Sequence, residues 1–474
     1  MLRVAFISLV SFCLVEGCSV GPDYHWPAPV QTQPTPTAFT VNGVEWKPAA
    51  PGDHRPRGAW WTNFEDIELN RLEGMAGDAN QTLVASVAAL LQAKDLLKET
   101  RSQYFPQINF TPSYYREHTS KNAEANGVAV GTPYTYNLAT APANLSWEID
   151  LWGRVRRLTE GAKAQMAAAQ EDLESLRLLV QAELAEDYFT LRAQDREIQL
   201  LLDTAEAYRR SLDLTVNRRK GGVATDLDVS QADTQLRTTE AQIPALRLQR
   251  VQMLHAIAVL CGQPAPMFEI PDSPAQHLPG LLQPGLVVSE WLERRPDISA
   301  AERRVAAANA NIGVAESAFY PSLTLNGLSG FQSVSADTWF HWPSRIWSLG
   351  PSVDLPLFTG GFNRAQLSAA RDAYDQTVAN YRQTVLSAFQ DVEDQLSAQK
   401  YLAEQLTGES AAMSSAQQTL DIANNRYKAG LVTYLDVVTA QSAALDVQRA
   451  VVQLEGERRV AAVGLVKALG GGWE

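Results

Sequence analysis

From Ala162 to Lys220 the chain contains neither glycine nor proline. A helix over that run is ~90 Å long at 1.5 Å per residue. No ordinary globular core accommodates such an element. Apolar residues within it step by three and four: Ile198, Leu201, Ala205, Tyr208, Leu212. The same spacing returns in Val378, Tyr381, Val385, Ala388, Val392. Ala, Gln and small polar residues flank a narrow apolar stripe. That pattern is coiled-coil packing between long helices, not burial in a globule. A free-standing dimeric coiled coil would satisfy this much.

The helical pattern is also written twice. Residues 217–232, Asn-Arg-Arg-Lys-Gly-Gly-Val-Ala-Thr-Asp-Leu-Asp-Val-Ser-Gln-Ala, align with residues 425–440 at nine of sixteen positions, offset by 208. The offset persists from Cys261-Gly262 to Leu469-Gly470, and Tyr104-Phe105-Pro106 has a counterpart in Phe319-Tyr320-Pro321. Two copies of one unit follow. Repeat 1 spans 60–262, a linker spans 263–289, and repeat 2 spans 290–474. Pro264, Pro266, Pro271, Pro274 and Pro279 mark the linker. Each copy has one order: an Ala-rich helical stretch, Pro-punctuated strands, a very long helix, a glycine-containing tip and a returning helix. Gly222 and Gly430 fall at the reversals, where a positive φ is expected. Thr225 and Thr433 are candidate caps of the returning helices.

The strand segments forbid a plain coiled coil. Ile108, Phe110, Pro112 and Tyr114 alternate with Gln107, Asn109, Thr111 and Ser113. In the second copy Trp347, Leu349, Val353 and Leu355 recur with Ile346, Ser348, Ser352 and Asp354 between them. The expected strands are about 105–118 and 134–147, then 320–333 and 344–357. Strands of about ten residues with one apolar face suit a transmembrane β-barrel. Tyr114, Tyr115, Tyr134, Tyr136, Trp339, Trp342 and Trp347 cluster near strand ends, as an aromatic girdle would. Four strands cannot close such a barrel, since eight is about the smallest. An oligomer is required on that reading; a water-soluble sandwich sheet is the alternative.

The N-terminus reads as an address. A basic start precedes an apolar run, Val4–Val15, too short to span a bilayer and right for a signal core. It ends at Val15-Glu16-Gly17-Cys18, which resembles a bacterial lipoprotein signal. Residues 1–17 are then a signal peptide and Cys18 the lipid-bearing first residue. Residues 18–59, with eight prolines from Pro22 to Pro56, form an extended tether.

Composition narrows the function. Three cysteines in 474 residues exclude a disulfide scaffold. A net charge of −13 argues against general affinity for nucleic acid. No phosphate-cradling loop or dinucleotide fingerprint occurs. Gly327-Leu-Ser-Gly330 lacks the spacing of a nucleophile elbow. The six histidines are scattered, and no pair has metal-ligand spacing. Glu183, Glu186 and Asp187 share one helix but read as a solvated or tunnel-lining face. No catalytic residue, metal or cofactor is expected, and the chain is not expected to be an enzyme.

With these residues in place, the chain resembles the TolC-like outer-membrane efflux proteins, closest to the lipoprotein branch that includes OprM and NodT. The resemblance covers essentially the whole mature chain. It is carried by Cys18-Ser-Val-Gly-Pro-Asp-Tyr24, Trp60-Trp61 with Phe64 and Leu69, Leu292-Glu-Arg-Arg-Pro-Asp-Ile298, Arg426-Tyr-Lys-Ala-Gly430, and Leu435-Asp436 with Ala440-Gln441. It implies an α+β membrane protein: a homotrimer whose twelve-stranded barrel, four strands per chain, sits in outer-membrane lipid and continues as a periplasmic α-helical tunnel. It implies a periplasmic adaptor (membrane fusion) protein and a proton-driven inner-membrane pump as partners. The expected function is passive conduction of small toxic molecules. A duct for type I protein secretion or metal-cation efflux is the alternative within the class. Six methionines offer no soft-metal relay, which disfavours copper or silver. A lipid-tethered periplasmic scaffold without a pore is the alternative outside it.

The resemblance also assigns roles at the tip. The second repeat's coil closes the tunnel, with Leu435, Asp436 and Thr439 at the constriction and Asp228 nearby. Family members often carry an acid where Thr439 stands, and Asp436, one turn away, would serve instead. Arg426 and Tyr427 are candidate restraints of the gate. Gly222, Val223, Gly430 and Leu431 form the turns that meet the adaptor. For Asp228 and Asp436 the alternative is a helix N-terminal charge stabilised by the macrodipole.

Overall fold

The computed structural model describes residues 19–27, 39–41, 44–46, 58–120, 124–125, 128–129, 133–273 and 294–472. The signal segment, Cys18, much of the tether and the linker from 274 onward lie outside the described residues. The chain forms two compact units. One draws on Met1–Pro29, Leu90–Ala169 and Ala301–Tyr381, the other on Val30–Ala89, Gln170–Ala300 and Arg382–Glu474.

Seven α-helices are described: α1 (Ile67–Ala79), α2 (Gln81–Ser102), α3 (Arg154–Lys220), α4 (Asp226–Leu260), α5 (Pro296–Ser317), α6 (Phe362–Lys428) and α7 (Tyr434–Ala468). Both α3 and α6 have 67 residues, and both α4 and α7 have 35. Every boundary of the second pair lies 208 positions after its counterpart. The repeat read from one motif therefore governs whole elements. α3 begins earlier than the last glycine before the run suggests. Asp150 accepts the N–H groups of Val155 (3.1 Å) and Arg156 (2.9 Å), capping the first turn, and Gly161 is absorbed into the helix. No described helix is long and apolar enough to cross a membrane.

Nine strands occur among the described residues. Two short hairpins join β1 (Phe39–Val41) to β2 (Val44–Trp46) and β5 (Glu124–Ala125) to β6 (Val128–Ala129). The main antiparallel sheet lies in the first unit. It holds β3 (Gln107–Phe110) and β4 (Ser113–His118), both paired with β7 (Thr135–Ile149), followed by β8 (Ser322–Ser333) and β9 (Arg345–Asp354). β3 and β4 are one lane. Phe110 lies opposite Ala143 and Ser113 opposite Thr140, so the register is unbroken, and the lane is interrupted only at 111–112, where Thr111 N–H donates to the Pro142 carbonyl at 3.1 Å but Pro142 has no N–H to return. Among the described residues the sheet thus has four lanes and two open edges.

Cross-strand rows alternate in polarity, as a period of two demands. Ile108, Leu145, Gly327 and Leu349 stand in one row, with Phe110, Ala143, Ser329 and Trp347 two residues along. Between them runs Asn109, Asn144, Leu328 and Ser348. Ile108, Phe110, Trp347 and Leu349 are all exposed. A large exposed apolar sheet face marks a surface made for something other than water. Gly330 allows β7 and β8 to approach, since a Cβ there would lie 2.3 Å from the Ala141 carbonyl oxygen.

The core of the second unit gathers Trp60, Phe64, Leu69 and Leu72 against Leu184, Tyr188, Phe189 and Leu191 of α3, with Ile257 and Cys261 at the end of α4. Phe64 and Phe189 meet edge to face at 4.8 Å. Asp66 caps α1 and also accepts the Tyr188 hydroxyl at 2.7 Å. Nearby, Asp195 of α3 pairs with Arg192 (3.0 Å) and with Arg250 of α4. The two guanidinium groups donate in turn to the carbonyls of Pro271 (2.7 Å) and Ile270 (3.0 Å), fastening the chain after α4 to the helices.

Candidate functional site

The long helices reverse at two turns, 221–225 and 429–433, and the backbone chemistry of the two is the same. Gly222 and Gly430 both adopt φ +74°, where an L side chain is strained. Gly222 N–H donates to the Arg219 carbonyl and Val223 N–H to that of Arg218, each at 2.9 Å. Gly430 N–H donates to Tyr427 and Leu431 N–H to Arg426, again at 2.9 Å. Each pair of bonds satisfies carbonyls that a helix end leaves open, the Schellman arrangement. Val223 and Leu431 stand out at the apices, both about two-thirds exposed.

The returning helices start alike. Thr225 N–H (2.8 Å) and Oγ1–H (2.8 Å) donate to Asp228 Oδ2, and Asp228 N–H returns a bond to Thr225 Oγ1 at 3.2 Å. Thr433 N–H (3.0 Å) and Oγ1–H (2.8 Å) donate to Asp436 Oδ2. These are capping boxes, with Asp in the position more often taken by Glu. Each carboxylate oxygen is thereby turned back onto its own helix N-terminus, which also favours its charge. Thr439, expected at the constriction, donates its hydroxyl to the Leu435 carbonyl at 2.9 Å. Leu435 is exposed, as is its repeat-mate Leu227.

Side chains make the two tips unequal. Tyr427 and Tyr434 face each other across the second turn, rings 5.2 Å apart and steeply inclined, and both are buried. They pack with Ala232 and Leu212 of the first repeat and with Val437. The Tyr434 hydroxyl lies 3.1 Å from Ser211 Oγ, and burial raises its pKa. The Tyr427 hydroxyl is buried without a hydrogen-bond partner among the described residues. The corresponding pair in the first repeat is Arg219 and Asp226, an exposed ion pair.

Of the two residues expected to restrain the tip, the structure places Tyr427 in this cluster. Arg426 is exposed, with no side-chain partner among the described residues. The cation that reaches the second turn is its repeat-mate Arg218. Arg218 donates to the Lys428 carbonyl at 2.9 Å and lies 4.9 Å above the Tyr427 ring. Sequence reasoning missed it. The signal was present, since Arg218 and Arg426 occupy equivalent positions in the aligned motif. A further joint between repeats lies up the helices, where Tyr208 donates to the Gln441 carbonyl at 3.0 Å and Gln235 to Ser442 Oγ at 3.1 Å.

A chain with two pairs of long helices, capped reversals and a four-lane sheet carrying an apolar face has relatives of known kind. The family model for outer membrane efflux proteins matches residues 74–263 and 287–471. The chain belongs to the outer membrane efflux protein family. It is 33% identical over 480 residues to outer membrane protein OprJ of Pseudomonas aeruginosa, covering 100% of this chain and 97% of OprJ. It is 31% identical over 481 residues to the toluene efflux pump outer membrane protein TtgF of Pseudomonas putida, covering 100% and 98%. Among solved structures, the outer-membrane channel OprN superposes with a TM-score of 0.85 at 31% identity, over 96% of this chain and 100% of that one. The protein is an outer-membrane efflux channel component with the TolC-like α+β fold. Among the described residues no group of His, Cys, Asp or Glu is arranged to hold a metal ion.

Proposed function

We propose that this protein is the exit duct of a tripartite efflux system, working as a homotrimer. Three four-lane sheets would join edge to edge into a twelve-stranded barrel, and the paired helices would line a tunnel across the periplasm. The observation that carries the reading is the open sheet itself. Its two edge lanes leave backbone N–H and C=O groups unpaired beside an exposed apolar face, a state that only pairing with further strands resolves in lipid. Strands β8 and β9, 12 and 10 residues long, have the length such a barrel needs.

Energy comes from an inner-membrane, proton-driven pump, and an adaptor docks at the tips, where Val223 and Leu431 offer apolar contacts beside Gly222 and Gly430. The second tip closes the tunnel. Leu435, Asp436 and Thr439 lie on the first turns of α7, with Asp228 on α4. The Tyr427–Tyr434 cluster holds the second coil against the first. Cys18 carries the lipid anchor. The names of relatives such as TtgF favour small organic molecules as cargo.

The test is the mass of the purified protein in detergent, taken with its conductance in a planar bilayer. A trimer with small, cation-preferring, mostly closed events is the expected result. A monomer or dimer without conductance contradicts the duct and returns weight to a tethered scaffold.

A further inference from the structure

The segment after Cys18 was expected to be an extended tether running along a surface, and its first residues are held along their length. Val20 N–H donates to the Trp152 carbonyl at 3.0 Å. The carbonyls of Val20 and Gly21 accept from the Arg157 guanidinium at 3.2 and 3.1 Å, and that of Pro22 accepts from Asn309 Nδ2 at 3.0 Å. Asp23 pairs with Arg157 at 3.2 Å, and the Tyr24 hydroxyl donates to Glu302 Oε1 at 2.5 Å. Arg157, Asn309 and Glu302 are themselves buried, at 4%, 5% and 1% exposure. Three buried polar side chains from α3 and α5 thus bond five consecutive residues of the tail, while Arg157 also pairs with Glu160 (2.9 Å) and Glu302 with Arg303 (3.1 Å). All of these groups belong to the first unit.

The backbone fit is equally specific. Gly21 has φ +102°, and a Cβ there would lie 2.4 Å from Gly313 Cα. A Cβ on Gly313 would lie 2.9 Å from the Val20 carbonyl oxygen and 2.8 Å from Arg157 Cγ. Two glycines face each other, one on the tail and one on α5, and each is needed for the other's approach.

We propose that Arg157, Glu302, Asn309 and Gly313 form a peptide-binding cleft whose ligand is the chain's own segment 20–24, a latch that makes the start of the mature protein part of the channel body. A surface that merely happened to meet a tail would not turn three buried polar side chains onto one segment, since buried donors and acceptors left without their hydrogen bonds are costly. The consequence for the membrane rests on Cys18 being lipidated, as proposed above. Only Ser19 separates that residue from the first clamped group, so the anchor is a short fixed arm. The latch itself does not depend on the lipid.

The experiment uses the full-length chain with a spin label at Trp26→Cys, an exposed position two residues past Tyr24. The label should be immobile in the parent and equally immobile with Cys18→Ser. Tyr24→Phe removes a hydrogen bond to a buried carboxylate and should shift the latched-to-free ratio about tenfold. Gly313→Ala closes the cleft while raising the helix propensity of α5, so the fold is favoured as the latch is lost. A mobile label in Gly313→Ala with unchanged helicity supports the cleft. An immobile label in that variant overturns the proposal, and so does a label freed by Cys18→Ser, which would assign the restraint to the lipid. The mass of the N-terminal peptide reports lipidation separately.

Discussion

At the first tip the side chains that meet across the turn are Arg219 and Asp226; at the second, 208 positions later, they are Tyr427 and Tyr434. The turns are otherwise alike, with glycine at the same φ, the same paired carbonyl bonds and Thr–Asp caps in the same positions. An exposed ion pair contributes ~0–1 kcal/mol and weakens with salt. A buried aromatic pair excludes water and brings several times that. Backbone reversal and fastening are therefore separate properties here. Glycine and the caps make both turns. The aromatic pair, reached by Arg218 from the other repeat, fastens only one. The fastening is also imperfect, because the Tyr427 hydroxyl is buried with nothing to bond. An element that must release has reason to be held this way.

Four substitutions break or sharpen the contrast. Tyr434→Ala empties the centre of the cluster and should cost the second tip ~3–5 kcal/mol. Hydrogen exchange should accelerate through the start of α7 while the start of α4 changes little; equal acceleration at both would dissolve the distinction. Arg218→Ala removes a bond to the Lys428 carbonyl and a cation over the Tyr427 ring. About 2 kcal/mol is expected, read as faster exchange at the second tip from a substitution made in the first. Tyr427→Phe acts in the opposite direction. Deleting an unpartnered buried hydroxyl should stabilise the second tip by ~1 kcal/mol, and slower exchange there is the check. Arg219→Ala should do least. A change within ~0.5 kcal/mol at the first tip is expected, vanishing in high salt. A larger effect would mean that the ion pair fastens its turn as the tyrosines fasten theirs.

The parts of the molecule that were legible in sequence are those set by local rules. Absence of glycine and proline marked the first long helix, apolar steps of three and four marked the second, and a period of two marked the sheet faces. Gly222 and Gly430 marked the reversals, and Thr225 and Thr433 the helix starts. Asp228 and Asp436 were legible as acids near a tip or as charges at a helix N-terminus; the bond of each to its own threonine was not read, although Thr-x-x-Asp has the spacing of a capping box. Pairings between distant residues were not legible either. Arg218 reaches a carbonyl 210 residues away, and Tyr24 a carboxylate 278 residues away. No periodicity encodes such contacts. The repeat alignment could have flagged Arg218, because it compares positions rather than neighbours. Nothing comparable flagged Arg157 or Asn309, and the tail looked like a tether because its prolines exclude helix without saying what it lies against.

The proposed closure of the duct at the second tip, held by Tyr427, Tyr434 and Arg218, is tested most directly by single-channel recording of the purified protein beside its Tyr434→Ala and Arg219→Ala variants. A parent that stays mostly closed, a Tyr434→Ala channel with markedly higher open probability and an Arg219→Ala channel indistinguishable from the parent is the predicted result. A parent already open, or equal opening by both substitutions, would contradict it.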